Sequence, residues 1–132
     1  EVQALAQAAL NGLDHDLAGS YQPLEAAGFS GFHANDGFQQ AAGICRAWPQ
    51  GRCVFSNPAQ SLQVWVNEED HLRIIALQAG ADIGAVYARL LRASRHLEQA
   101  LHFQQSARYG YLASCPSNLG TGLRASTNSA TC

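Results

Sequence analysis

Between two apolar runs, the stretch VWVNEEDHLRII sets Glu68, Glu69 and Asp70 side by side and follows them at once with His71 and Arg73. A carboxylate held at a sheet edge beside other acids can gain proton affinity, or it can position a cationic substrate; Glu69 is the candidate for either role. The plain alternative is a solvated acidic turn, which is what most charge runs are. Arg73, four residues after Glu69, suits a phosphate or a salt bridge to the turn acids, and spacing alone favours the salt bridge. A second centre lies at Cys115, where Pro116 and a loop containing Gly120 and Gly122 lead on to Arg124. There a thiolate and a guanidinium could face one ligand, with glycine permitting a tight backbone approach. The plain alternative is a buried thiol at a strand end.

These groups stand out because charge is scarce: 14% of the residues are Asp, Glu, Lys or Arg, and 47% are hydrophobic. A net charge of −2 argues against general affinity for nucleic acid or an anionic membrane surface, so any phosphate binding must be local. All eight basic residues are Arg, each a fixed planar fork suited to bidentate contacts with phosphate or carboxylate. No run approaches the roughly 20 apolar residues of a membrane span.

Cys45, Cys53, Cys115 and Cys132 form no Cys-x-x-Cys pair and have no His at ligand spacing, so no metal site is expected. Two disulfides or four thiols are both compatible with the count; in a chain with a good core, reduced thiols are the reading. That implies an intracellular, reducing compartment, with cytoplasm and organelle undecided. His71, His96 and His102 lack consistent ligand spacing, and no Ser-His-Asp arrangement, Walker loop or dinucleotide fingerprint occurs.

The elements that must position these residues follow from periodicity. With 132 residues, one domain with a single core is expected. Val2 to Leu13 has Val2, Leu5, Ala9 and Leu13 near helical spacing, with Asn11-Gly12 as the stop. Gly19 to Asp36 reads as an ordered connection anchored by Tyr21, Leu24, Phe29 and Phe32, and Phe38 to Trp48 as a helix or helical turn. Arg52 to Ser56 leans to strand; Leu62, Val64 and Val66 alternate with Gln63, Trp65 and Asn67, and His71 to Leu77 repeats the signature. The last two make an antiparallel hairpin with the acids at its tip. Asp82 caps a long helix to Leu101 whose apolar face carries Ile83, Val86, Leu90, Leu97 and Leu101. Tyr109 to Ser114 is a further strand candidate. The order predicts an α+β fold, an antiparallel sheet flanked by helices.

Taken together, CRAWPQGR (Cys45 to Arg52), VWVNEEDHLRII (Val64 to Ile75) and CPSNLGTGLR (Cys115 to Arg124) resemble the phosphagen kinases, the arginine and creatine kinase family. The resemblance runs from about Tyr21 to Ser126, including RYGYL, and implies part of that family's C-terminal catalytic domain. It divides the chain into an N-terminal helical segment (1–20), a truncated catalytic region (21–126) and a divergent tail (127–132).

Members of the family transfer the γ-phosphoryl of MgATP to a guanidino nitrogen. The resemblance therefore implies MgATP and MgADP as nucleotides, a guanidino small molecule as substrate, and no nucleic-acid partner. It matches the family's catalytic glutamate to Glu69, its reactive cysteine to Cys115 and two phosphate-binding arginines to Arg73 and Arg124; weaker nucleotide matches fall at Phe29 and Asn128. Several family arginines, the small N-terminal domain with its guanidino-specificity loop and a Gly- and Arg-rich loop have no counterpart within these residues. Removing even one transition-state donor typically costs ~10²-fold or more, so the chain alone is expected to be inactive. The alternative is a non-catalytic kinase lobe serving as a structural subunit, with protein partners covering its apolar surface and open sheet edge.

Overall fold

Alternating apolar and polar residues build the sheet that carries the acidic turn. In the computed structural model, which describes residues 1–23, 37–41 and 50–127, four strands pair in sequence order, all antiparallel. They are β1 (Ser20–Pro23), β2 (Cys53–Ser56), β3 (Leu62–Val66) and β4 (Leu72–Ala76). Their register places Tyr21, Phe55, Val64 and Ile74 abreast, with Cys53, Val66 and Leu72 in the next row of the same face. Since successive side chains point to opposite faces, these rows form one apolar surface. Leu62, Val64 and Val66 are completely buried there. Trp65 and Arg73, paired across β3 and β4, belong to the opposite face.

Two helices cover the apolar face. α1 (Val2–Leu10) and the long helix α3 (Ile83–Leu101) pack on each other, α1 also on β3 and α3 on β4. A short helix, α2 (Gly37–Ala41), lies between β1 and β2 in the chain. The Asp82 carboxylate accepts the Ala85 N–H at 2.9 Å, capping the first turn of α3 as expected. Asn57, buried after β2, organises the turn into β3. Its Oδ1 accepts the Ser61 and Leu62 N–H groups at 2.9 and 3.0 Å, and its Nδ2 donates to the Asp16 carbonyl at 2.8 Å. Each polar end of this buried side chain is thereby satisfied.

The α+β architecture and the β3–β4 hairpin match expectation, and four details differ. Ser20–Pro23 is an edge strand rather than part of a connection. Its flanking residues obscured it: a strand-terminal Pro is tolerated at an edge, and Gly19 is there because a Cβ would meet the Ser56 carbonyl oxygen at 2.2 Å. Leu5 is exposed, whereas Ala6, Ala9 and Leu10 face the core; Leu5 sits about a quarter-turn off the buried stripe, and alanines let α1 approach its neighbours closely. Ile83 shares the stripe of α3 but is exposed at the first turn, while Ala93, absent from the expected face, is fully buried. The expected strand at Tyr109 to Ser114 shrinks to β6 (Gly110–Tyr111), paired with β5 (Gln105–Ser106).

Candidate active site

The first arm of the site is the tip of the β3–β4 hairpin. The Asn67 N–H donates to the His71 carbonyl at 2.9 Å and closes the loop, and Asn67 itself takes a left-handed φ of 57°. Its side-chain amide donates to the Gly51 carbonyl at 2.7 Å, fixing the turn to the segment entering β2. Glu68, Glu69 and Asp70 are therefore presented on a braced loop. Arg73 reaches back to Glu68 at 3.8 Å, with 60% of its side chain exposed. At that length and exposure the pair contributes little to stability, on the order of 0–1 kcal/mol, so the guanidinium remains able to take another anion.

The second arm is the loop bearing Cys115. Tyr111 and Gly120 exchange backbone hydrogen bonds of 2.8 and 3.3 Å, so the intervening residues form a closed excursion. A Cβ on Gly110 would lie 2.6 Å from the Gly120 carbonyl oxygen, and both glycines have positive φ, 71° and 99°. The tight backbone approach expected of Gly120 is thus made to the chain's own Gly110 and Tyr111. The Tyr111 hydroxyl donates to Glu98 at 2.5 Å, anchoring this closure to α3; that bond holds the phenol proton and raises its pKa. Within the excursion, Pro116–Asn118 forms a 3₁₀ turn. The half-buried Cys115 thiol lies 3.0 Å from the Ser117 hydroxyl.

The two arms are joined. Asp70 accepts the Ser114 N–H at 2.6 Å on one carboxylate oxygen and the Asn118 side-chain amide at 3.3 Å on the other. The Ser114 hydroxyl donates to the backbone carbonyl of Glu69 at 2.9 Å. Glu69 and Cys115 thus sit on neighbouring residues of one hydrogen-bonded junction, although 46 positions separate them in the chain, 115 less 69. The Glu69 carboxylate makes no hydrogen bond or ion pair with the described residues.

Of the residues singled out in the sequence, this junction unites Glu69 and Cys115, and Arg73 sits at its edge with its pair formed to Glu68 rather than Glu69. Arg124 is exposed two residues after Gly122, without a hydrogen bond or ion pair to the others among the described residues. Phe29 and Asn128, the weaker nucleotide matches, lie outside the described residues. Ser114, Asp70 as a clamp and Asn118 are site residues that the sequence does not mark. Their only signal was the presence of hydrogen-bonding side chains at both loops, which does not specify a pairing. Cys53 differs from Cys115: both are free thiols, but burial under α1 pushes the Cys53 pKa up and leaves it unreactive. Among the described residues, no three His, Cys, Asp or Glu side chains gather at metal-binding distance.

With this geometry in view, comparison with known proteins decides the lineage. The model of the ATP:guanido phosphotransferase C-terminal catalytic domain matches residues 1–129. The chain belongs to this family. Among its relatives, arginine kinases from Anthopleura japonica and Artemia franciscana are each 44% identical over 97% of the chain, and that of Limulus polyphemus is 41% identical. Among solved structures, the duplicated taurocyamine kinase from Schistosoma mansoni, with bound transition state analog components, superposes with a TM-score of 0.81 at 37% identity over 92% of the chain. Lombricine kinase gives a TM-score of 0.80 at 33% identity, again over 92%. The chain spans 19% of the Anthopleura protein, 39% of the Artemia protein and 38% of the lombricine kinase chain. The phosphagen kinase resemblance and the partial catalytic-domain fold both agree with these findings.

Proposed function

We propose that these residues form the guanidinium-holding portion of a phosphagen kinase catalytic unit, which transfers the γ-phosphoryl of MgATP to a guanidino substrate. The observation that carries this reading is the junction itself, which sets Glu69, whose carboxylate has no partner among the described residues, next to the Cys115 loop. Glu69 holds and orients the guanidinium and is placed to accept its proton; Cys115 contacts the guanidino group. Arg73 and Arg124 supply positive charge to the transferring phosphoryl oxygens. Magnesium arrives on the nucleotide phosphates, its usual mode of binding in such enzymes. Support comes from family membership and from relatives named for arginine. The free thiols of Cys53 and Cys115 fit a reducing compartment.

Because the chain spans a minority of each relative's length, the reading assigns turnover to a longer polypeptide or assembly. The 132 residues alone should produce no guanidino-phosphate. A scaffold reading has its own supporting observation: Leu77, Ile83 and Tyr87 are 50, 58 and 46% exposed around the start of α3, and among the described residues no strand pairs with the outer edge of β4. One comparison separates the two. The purified chain and the longest polypeptide containing it are assayed with MgATP and arginine while light scattering reads their mass. Phosphoryl transfer by the longer form, with none by the chain alone, supports the kinase reading. A self-associating chain, and no transfer by either, favours the scaffold.

A further inference from the structure

Ser114 makes two hydrogen bonds to the acidic turn from one residue. Its N–H donates to the Asp70 carboxylate at 2.6 Å, and its hydroxyl donates to the Glu69 backbone carbonyl at 2.9 Å. The other oxygen of Asp70 receives the Asn118 amide at 3.3 Å, so the carboxylate spans the 3₁₀ turn that begins after Cys115. Each flank of Cys115 is therefore tied to the turn that presents Glu69. Elsewhere among the described residues the loop is fastened through Gly120 to Tyr111 and through the Leu112 N–H to the Gln104 carbonyl at 3.1 Å, connections that lead back to α3 and bypass the hairpin tip. The distance between thiol and carboxylate consequently depends on the Ser114–Asp70 contacts.

We infer that Ser114, with Asp70 as its acceptor, is a positioning residue: a latch that sets Cys115 against Glu69 before a guanidinium arrives. The inference rests on the proposed guanidinium site for its purpose, while the latch itself can be tested without ligand. Hydrogen bonds to a carboxylate are stronger than neutral ones, and a bond to the Glu69 backbone fixes where that residue's side chain originates. With the latch closed, binding need not first order two loops, which is the advantage of preorganisation.

The test uses the folded 132-residue chain, iodoacetamide as the thiol probe, and peptide mass mapping to follow Cys115 and Cys53 separately. Ser114→Ala and Asp70→Asn should each raise the Cys115 alkylation rate by about fivefold or more as the loop detaches, with Cys53 unchanged. Ser114→Thr, which keeps the hydroxyl that Ser114→Ala removes from the Glu69 carbonyl, should remain close to the native rate. Rates at Cys115 within about twofold of native in both disrupting variants would overturn the latch. So would a parallel rise at Cys53, since that residue is 3% exposed and reports loss of the whole fold.

A second arm adds arginine, MgADP and nitrate. Ligand should slow Cys115 alkylation in the native chain and fail to do so in Ser114→Ala; equal protection in both would overturn the positioning role. Absence of protection in the native chain would instead count against the guanidinium site, leaving the latch to be judged on the ligand-free rates.

Discussion

Glu69→Gln should abolish guanidino-phosphate formation in the longest polypeptide that carries this segment and turns over, a loss of at least about 10²-fold in kcat. The substitution keeps the size of the side chain and the Glu69 backbone carbonyl that receives the Ser114 hydroxyl, so the junction should persist. It removes the negative charge that holds a cationic guanidinium and the basic oxygen that can accept its proton. Asp70, one residue on, cannot replace it, because both its oxygens are engaged by Ser114 and Asn118. Glu68 is directed to Arg73. A steady-state assay separates the effects: loss of an interaction made in the transition state lowers kcat, whereas loss of uniform binding raises KM alone. Activity retained within about tenfold would remove Glu69 from the proposed role.

Phe55→Ala should destabilise the fold by about 3–5 kcal/mol, a large part of the ~5–15 kcal/mol available to a typical domain. Phe55 is 1% exposed in the core between sheet and helices. Its ring meets Tyr21 edge-on with 5.4 Å between centroids. Tyr21 in turn donates through its hydroxyl to the Gln7 carbonyl of α1, so the cavity would open where β1, β2 and α1 converge. Urea unfolding followed by circular dichroism should show a lower midpoint with an unchanged slope. A loss below about 1 kcal/mol would mean that the core collapses around the deletion or that the site is less tightly packed than it appears.

The hairpin was legible because β3 alternates strictly, with Leu62, Val64 and Val66 inward and Gln63 and Trp65 outward; no helical period fits that pattern. The long helix is equally legible from its cap and stripe, but periodicity carries no information on how far the sheet extends beneath it, so Ile83 falls on the apolar stripe yet is exposed, and the small Ala93 is fully buried. β1 is not legible because Gly19 and Pro23 signal turns locally, and pairing with β2 is what makes this segment a strand. In the site, Glu69 and Cys115 could be marked through residue type and family motifs. Their adjacency could not, since it depends on hydrogen bonds from Ser114 and Asn118 to residues 44 to 48 positions away. Spacing did suggest that Arg73 would pair with a turn acid; which acid was settled only by the pleat and the turn.

The most direct test of a guanidinium site built on Glu69 is isothermal titration of the folded 132-residue chain with arginine in the presence of MgADP and nitrate, beside Glu69→Gln. Binding by the native chain that the variant loses is the expected result. No heat from a demonstrably folded native sample, or equal binding by both proteins, would contradict it and remove the acidic turn as a guanidinium clamp.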